Sequence, residues 1–123
     1  MLLCFSGLAQ SYKTALKNME KGSYEKAEGS LLRSLEKDSL NPAIKYVYSL
    51  LFTTNGFNRY NLDSSYYFIN VAIHDLLLVD PKELSRLEKA EILESTLQNQ
   101  KTKIQQLAFE VSLSINSLDG YND

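Results

Sequence analysis

The sequence predicts an all-α protein of about six helices, stacked as antiparallel hairpins, and three observations lead there. Apolar residues recur at helical spacing, and no segment alternates as a half-buried strand would. Helix start and stop signals divide the chain legibly, with a glycine at one junction and Asn-Pro and Asp-Pro at two others. Two stretches also echo each other: Ala27, Leu31, Ser34 and Leu35 recur as Ser65, Ile69, Ala72 and Ile73, each 38 residues on. Ala15 and Ser49 stand at matching places 34 residues apart. Small residues at such a period mark a helical-hairpin repeat.

The first helix is expected from Gln10 to Lys21, ending at Gly22, which suits a left-handed C-terminal cap. Ser23 is the expected cap of the second helix, with Glu25 favourably placed against its N-terminal dipole and an end near Lys37. Asn41-Pro42 opens the third, to about Thr54, with Ile44, Val47, Tyr48, Leu51 and Phe52 as its apolar stripe. Asn55 to Leu62, with Asn-Gly and further asparagines, reads as a loop. Asp63 is expected to cap a fourth helix through Leu78. Asp80-Pro81 repeats the cap-plus-proline signal, with Glu83 placed as in a capping box. Lys82 to Ile115 is helical in composition, with a break expected near Ala90 to Glu94. Ile104, Leu107, Ala108, Val111 and Ile115 form a stripe there. Ser117 looks like the cap of a further helix that is cut short at Asp123.

The chain has 123 residues, a net charge near −2 and 44% hydrophobic residues, which suits one folded domain. Lysines and arginines are dispersed, so no basic patch stands ready for a phosphate backbone and nucleic acid is not an expected partner. Residues 11 onward hold no apolar run near the ~20 residues needed to span a bilayer. The first ten residues differ from the rest. Met1 to Gln10 is apolar, with Gly7 and Ala9 at the −3 and −1 positions of a possible cleavage, and resembles the rear half of a secretory signal peptide. No Lys or Arg precedes Lys13, so the expectation is a signal (residues 1–9) whose true start lies upstream. Export to the periplasm or cell envelope follows from it; a cytoplasmic location follows if the stretch is only a lead-in to the first helix. Cys4 is the sole cysteine, and cleavage would leave none. A lipoprotein signal fits less well, because Leu3 before Cys4 is bulky.

Gly22-Ser23-Tyr24-Glu25-Lys26-Ala27 resembles the Gly-x-Tyr-x-x-Ala turn of the tetratricopeptide family. Ala15 and Ala27 take its small packing positions, followed by Leu31, Ser34 and Leu35; the usual Asp-Pro ending is displaced to Asp38 and Pro42. The second copy is looser: Ser49 and Ser65 are its small positions, with Ile69, Ala72 and Ile73 in register. Its internal turn is four residues longer, and Gly56-Phe57 keeps only part of the motif. The resemblance spans about Gln10 to Pro81 within a repeat domain of residues 10–116. It implies packing roles for Ala15, Gly22, Tyr24, Ala27, Ser49, Ser65 and Ala72. It also implies a groove, lined by Tyr12, Leu16 and Met19 and by Tyr46, Leu50 and Thr53, that grips a protein or peptide. The alternative for those six is ordinary packing against another helix. The chain also looks like the N-terminal repeat regions of exported bacterial multidomain proteins.

Chemistry finds little support. His74, the sole histidine, stands beside Asp75 and reads as a surface residue. Metal ligands do not cluster, and no glycine-rich phosphate loop is present, so no cofactor is expected. Glu88, Glu91 and Glu94 read as a solvated helical face, and Gln98 to Gln106 as an exposed segment. Tyr66-Tyr67-Phe68 cannot all face one core, because successive helical residues point about 100° apart; one of them should be exposed or touch another module. The expected function is therefore a non-catalytic interaction or assembly module of an exported protein. The alternatives are a targeting or regulatory domain of a larger enzyme, and a helical bundle that homodimerises.

Overall fold

The computed structural model describes the backbone of residues 12–122 and the side chains of residues 12–114. The described chain is all helix and connecting turn: α1 over residues 12–20, α2 Tyr24–Lys37, α3 Pro42–Phe52, α4 Leu62–Leu76, α5 Pro81–Lys89 and α6 Glu94–Asn122. The expected signal peptide, with Cys4, Gly7 and Ala9, lies outside the described residues.

Gly22 ends α1 as its chemistry requires. It adopts φ +79°, its N–H donates to the Met19 carbonyl at 3.0 Å, and the Ser23 N–H donates to Asn18 at 2.8 Å. That bond pair is a Schellman motif, which satisfies carbonyls the helix end would leave unpaired. Ser23 sits at the N-cap of α2, but its hydroxyl makes no capping bond; Glu25 stands in the first turn as expected.

Asn41 caps α3 through its side-chain oxygen, which accepts from the Ala43 N–H, with Pro42 at the first position. Asp80 does the same for α5, accepting from the Glu83 N–H at 2.8 Å. At α4 the cap is Asn61, two residues before the expected Asp63, and it accepts from Ser64. The reason lies across the loop: the Asn61 N–H donates to the Phe52 carbonyl at 3.0 Å, tying the loop's two ends together. Asp63 is left in the first turn, where its charge still favours the helix.

Packing follows chain order from α2 to α4 and then passes over α5. α2 lies on α3, α3 and α4 form the most extensive contact, and α6 covers α4 and touches α3. The core takes in Ala15 of α1, Ala27 and Leu31 of α2, Ile44, Val47 and Leu51 of α3, Ile69 and Ala72 of α4, and Leu97 and Ile104 of α6. The longer second turn has a packing cause. Phe57 is buried between Tyr24, at a 6.4 Å ring separation, and Phe52, at 5.9 Å. Phe52, Tyr48 and Phe68 extend this cluster as stacked rings, Tyr48 and Phe68 being 4.7 Å apart. Gly56 carries φ +98°, and a Cβ there would stand 3.4 Å from the Tyr24 ring; the turn needs a glycine at that point.

The last helix departs from expectation. At 1.5 Å per residue its 29 residues reach roughly 43 Å, about twice the length of α4. Leu97, Gln100 and Ile104 are buried, whereas residues 108–114 are all exposed. The expected stripe is thus covered only at Ile104 and partly at Leu107. Ala108 and Val111 are exposed, and the Ile115 side chain lies outside the described residues. The backbone continues as one helix past Ser117 to Asn122, so the separate helix expected there is not formed. The side chains of Ser117, Leu118 and Tyr121 also lie outside the described residues.

Candidate interaction surfaces

The small residues implied by the repeat do come together in the second hairpin. The Ser65 hydroxyl donates to the Ser49 carbonyl at 2.7 Å, and the two hydroxyls lie 3.0 Å apart. Because Ser65 has spent its one proton, the Ser49 hydroxyl must donate to Ser65 Oγ. Its lone pair then accepts from Gln100 Nε2 of α6 at 3.1 Å, and the same amide reaches Thr53 Oγ1 at 3.4 Å. A directional chain of hydrogen bonds therefore joins α3, α4 and α6. Gln100 is buried, which corrects the reading of Gln98 to Gln106 as an exposed segment throughout. Ala15, Ala27, Ser49, Ser65 and Ala72 have no solvent exposure; Tyr24 is half-buried against Phe57.

A second polar contact crosses the α3–α4 interface: the Lys45 ammonium binds the Asp75 carboxylate, both side chains buried. Local pattern gave no sign of it. His74, its neighbour, is exposed, with Nδ1 3.7 Å from the other Asp75 oxygen. Among the described residues, no buried side-chain nitrogen or oxygen lacks a hydrogen-bond partner.

Of the six residues assigned to a groove by resemblance, one is buried and five are half-buried. Tyr12 is buried, and Leu16, Met19 and Tyr46 are half-buried against the core. Burial raises the Tyr12 phenol pKa above its ordinary value, and the Glu83 carboxylate of α5 adds to that; burial alone raises Tyr46. Leu50 is half-buried. Thr53, bonded back to the Ser49 and Leu50 carbonyls, also meets the Gln100 amide, so α6 occupies that end of the face.

Exposed apolar side chains gather elsewhere. A cleft of about 360 Å³ opens between the end of α4, α5 and the start of α6, lined by Leu76, Leu77, Val79, Leu84, Leu93, Glu88 and Glu94. Leu77 is 73% exposed, Leu84 37% and Leu93 41%. The sequence did carry a signal here, the run Leu76-Leu77-Leu78-Val79, which no single helical face can bury. Glu88, Glu91 and Glu94 are exposed as expected, but on three different segments. Glu88 lies in the last turn of α5, Glu91 forms the turn between helices, and Glu94 starts α6. Glu91 adopts φ +63°, the left-handed position usually held by glycine. The turn is closed by the Ile92 N–H to Leu87 at 2.8 Å and by Thr96, whose hydroxyl accepts from the Leu93 N–H and donates to the Glu91 carbonyl. This geometry brings Leu93 and Glu94 back towards Leu84 and Glu88.

The outer face of α4 forms a shallower hollow of about 400 Å³ with Asp63, Tyr66, Tyr67, Asn70, Val71 and His74. Phe68 turns inward, Tyr67 is 63% exposed, and the Lys101 ammonium of α6 lies 5.7 Å from the Tyr66 ring centre. The three consecutive aromatics thus divide as helical geometry demands.

Among the described residues there is no group of three or more His, Cys, Asp or Glu side chains placed to hold a metal ion, and no helix is long and apolar enough to cross a membrane. No family model, curated protein or solved structure matches the chain.

Proposed function

We propose that this chain is a tetratricopeptide-like interaction module that docks a protein segment on a preformed helical surface. The observation that carries this reading is the leucine-lined cleft at the α4–α5–α6 corner. Leu77, Leu84 and Leu93 are exposed there, while among the described residues every buried side-chain nitrogen and oxygen has a partner. An exposed apolar patch rimmed by polar groups is what a docking surface requires. The successive packing of α2, α3 and α4 and the paired small residues Ser49 and Ser65 support the repeat reading. Placement at the front of an exported envelope protein is part of the same proposal and rests on the apolar decapeptide alone.

The test is selection from an unbiased peptide display library on the full chain, with the selected peptides measured by calorimetry. Peptides that bind in the micromolar range support the module. Failure to select any sequence above background counts against it. A second reading, self-association, is favoured by Phe109, Val111 and Leu113, exposed on the distal half of α6. Sedimentation across a hundredfold concentration range distinguishes the two, since a strict monomer removes self-association.

A further inference from the structure

The walls of the α4–α5–α6 cleft carry one sign of charge. Among the described residues that line it, the two ionisable ones are both carboxylates, Glu88 and Glu94, and the rest are aliphatic. Backbone adds to that field. Leu76 and Leu77 stand at the C-terminal end of α4, and Glu88 lies in the last turn of α5, where partial negative charge accumulates on helix carbonyls. The N-terminus of α6 contributes the opposite sign, and Glu94 in its first turn offsets it. Two basic residues share the last turn of α5, Arg86, which donates to Glu83 at 3.4 Å, and Lys89; neither lines the cleft.

We propose that this cleft takes a short amphipathic protein segment presenting aliphatic side chains beside lysine or arginine. The inference rests on the interaction-module reading and deepens it. The cleft falls in the size range of pockets that enclose a few side chains. Its leucines supply the apolar contact, and the two lining carboxylates select the flanking charge. An acidic segment would meet repulsion at Glu88 and at Glu94. The acidic hollow at the α2–α3 and α4–α5 turns offers no such division of labour. There Asp75 is neutralised by Lys45, and Asp38 accepts from the Asn41 amide at 3.1 Å.

The experiment uses the full chain and three labelled twelve-residue peptides of one amphipathic pattern: leucine with lysine, leucine with glutamate, and serine with lysine. Fluorescence anisotropy should show the leucine–lysine peptide binding at least tenfold tighter than either other. The double variant Glu88→Lys/Glu94→Lys should reverse the preference between lysine and glutamate. A charge-matched control, Glu36→Lys/Glu110→Lys, changes two exposed carboxylates away from the cleft and should leave affinity within about twofold. Equal loss in both double variants would show attraction by net charge alone and overturn the proposal, as would equal binding of the leucine–glutamate peptide. If the defined peptides do not bind but library-selected peptides do, this inference falls and the interaction module stands. If neither binds, both fall.

Discussion

The Lys45 ammonium of α3 and the Asp75 carboxylate of α4 meet inside the helix interface, with little of either side chain reaching solvent. Removing one partner strands the other charge in a poorly solvated site. Asp75→Ala is therefore expected to cost about 3–5 kcal/mol. The double variant Lys45→Met/Asp75→Leu should recover most of that loss, because a buried pair is balanced by its own desolvation cost. Urea unfolding of both variants checks the pair, and equal destabilisation would contradict it.

The Ser49–Ser65–Gln100 chain is a cooperative unit rather than three separate contacts. Ser65→Ala leaves the Ser49 hydroxyl without its acceptor and should cost roughly 1–3 kcal/mol. Ser49→Ala should cost a similar amount, because the Gln100 amide loses the nearer of its two acceptors. Because the two share one network, the double variant should cost clearly less than the sum. A double-mutant cycle measures this, and strict additivity would show that the hydroxyls do not cooperate.

Phe57 fills the space between Tyr24 and Phe52, so its loop is part of the core. Phe57→Ala should lower stability by about 3–5 kcal/mol, a cavity-scale effect unusual for a loop residue. Gly56→Ala should also destabilise, since φ +98° is a conformation that side-chain-bearing residues rarely adopt. Thermal denaturation by circular dichroism reads both.

Burial pushes the Tyr48 phenol up to about 12, with Glu28 adding to the rise and Arg59 opposing it. The unfolded chain, titrating near pH 10, releases that proton first. The contribution is complete below about pH 10 and is lost as pH climbs towards 12. Unfolding free energy should fall over that interval, and Tyr48→Phe should flatten the fall. An identical slope in the variant would assign the loss to other groups.

What the sequence disclosed and what it hid follow from the range of each interaction. Asn41-Pro42, Gly22 and Asp80-Pro81 act within a few residues, so their helix ends were legible. Ser49 and Ser65 were legible through the repeat. The choice of Asn61 over Asp63 was not, because it depends on a hydrogen bond across the loop to Phe52. Lys45 and Asp75 are thirty residues apart, and each looks locally like an ordinary helical surface charge. Gln100 hides in a polar tract for the same reason. Ala108 and Val111 keep the stripe's spacing but are exposed, and spacing alone does not reveal whether a partner helix covers a stripe.

The central claim is that the corner leucines are exposed for docking rather than for stability. Peptide binding and thermal unfolding of the double variant Leu77→Ser/Leu93→Ser test it most directly. The melting temperature should stay within a few degrees of the parent, as for surface substitutions, while affinity for the leucine–lysine peptide falls at least tenfold. A large fall in melting temperature with affinity unchanged would place these leucines in the core and contradict it.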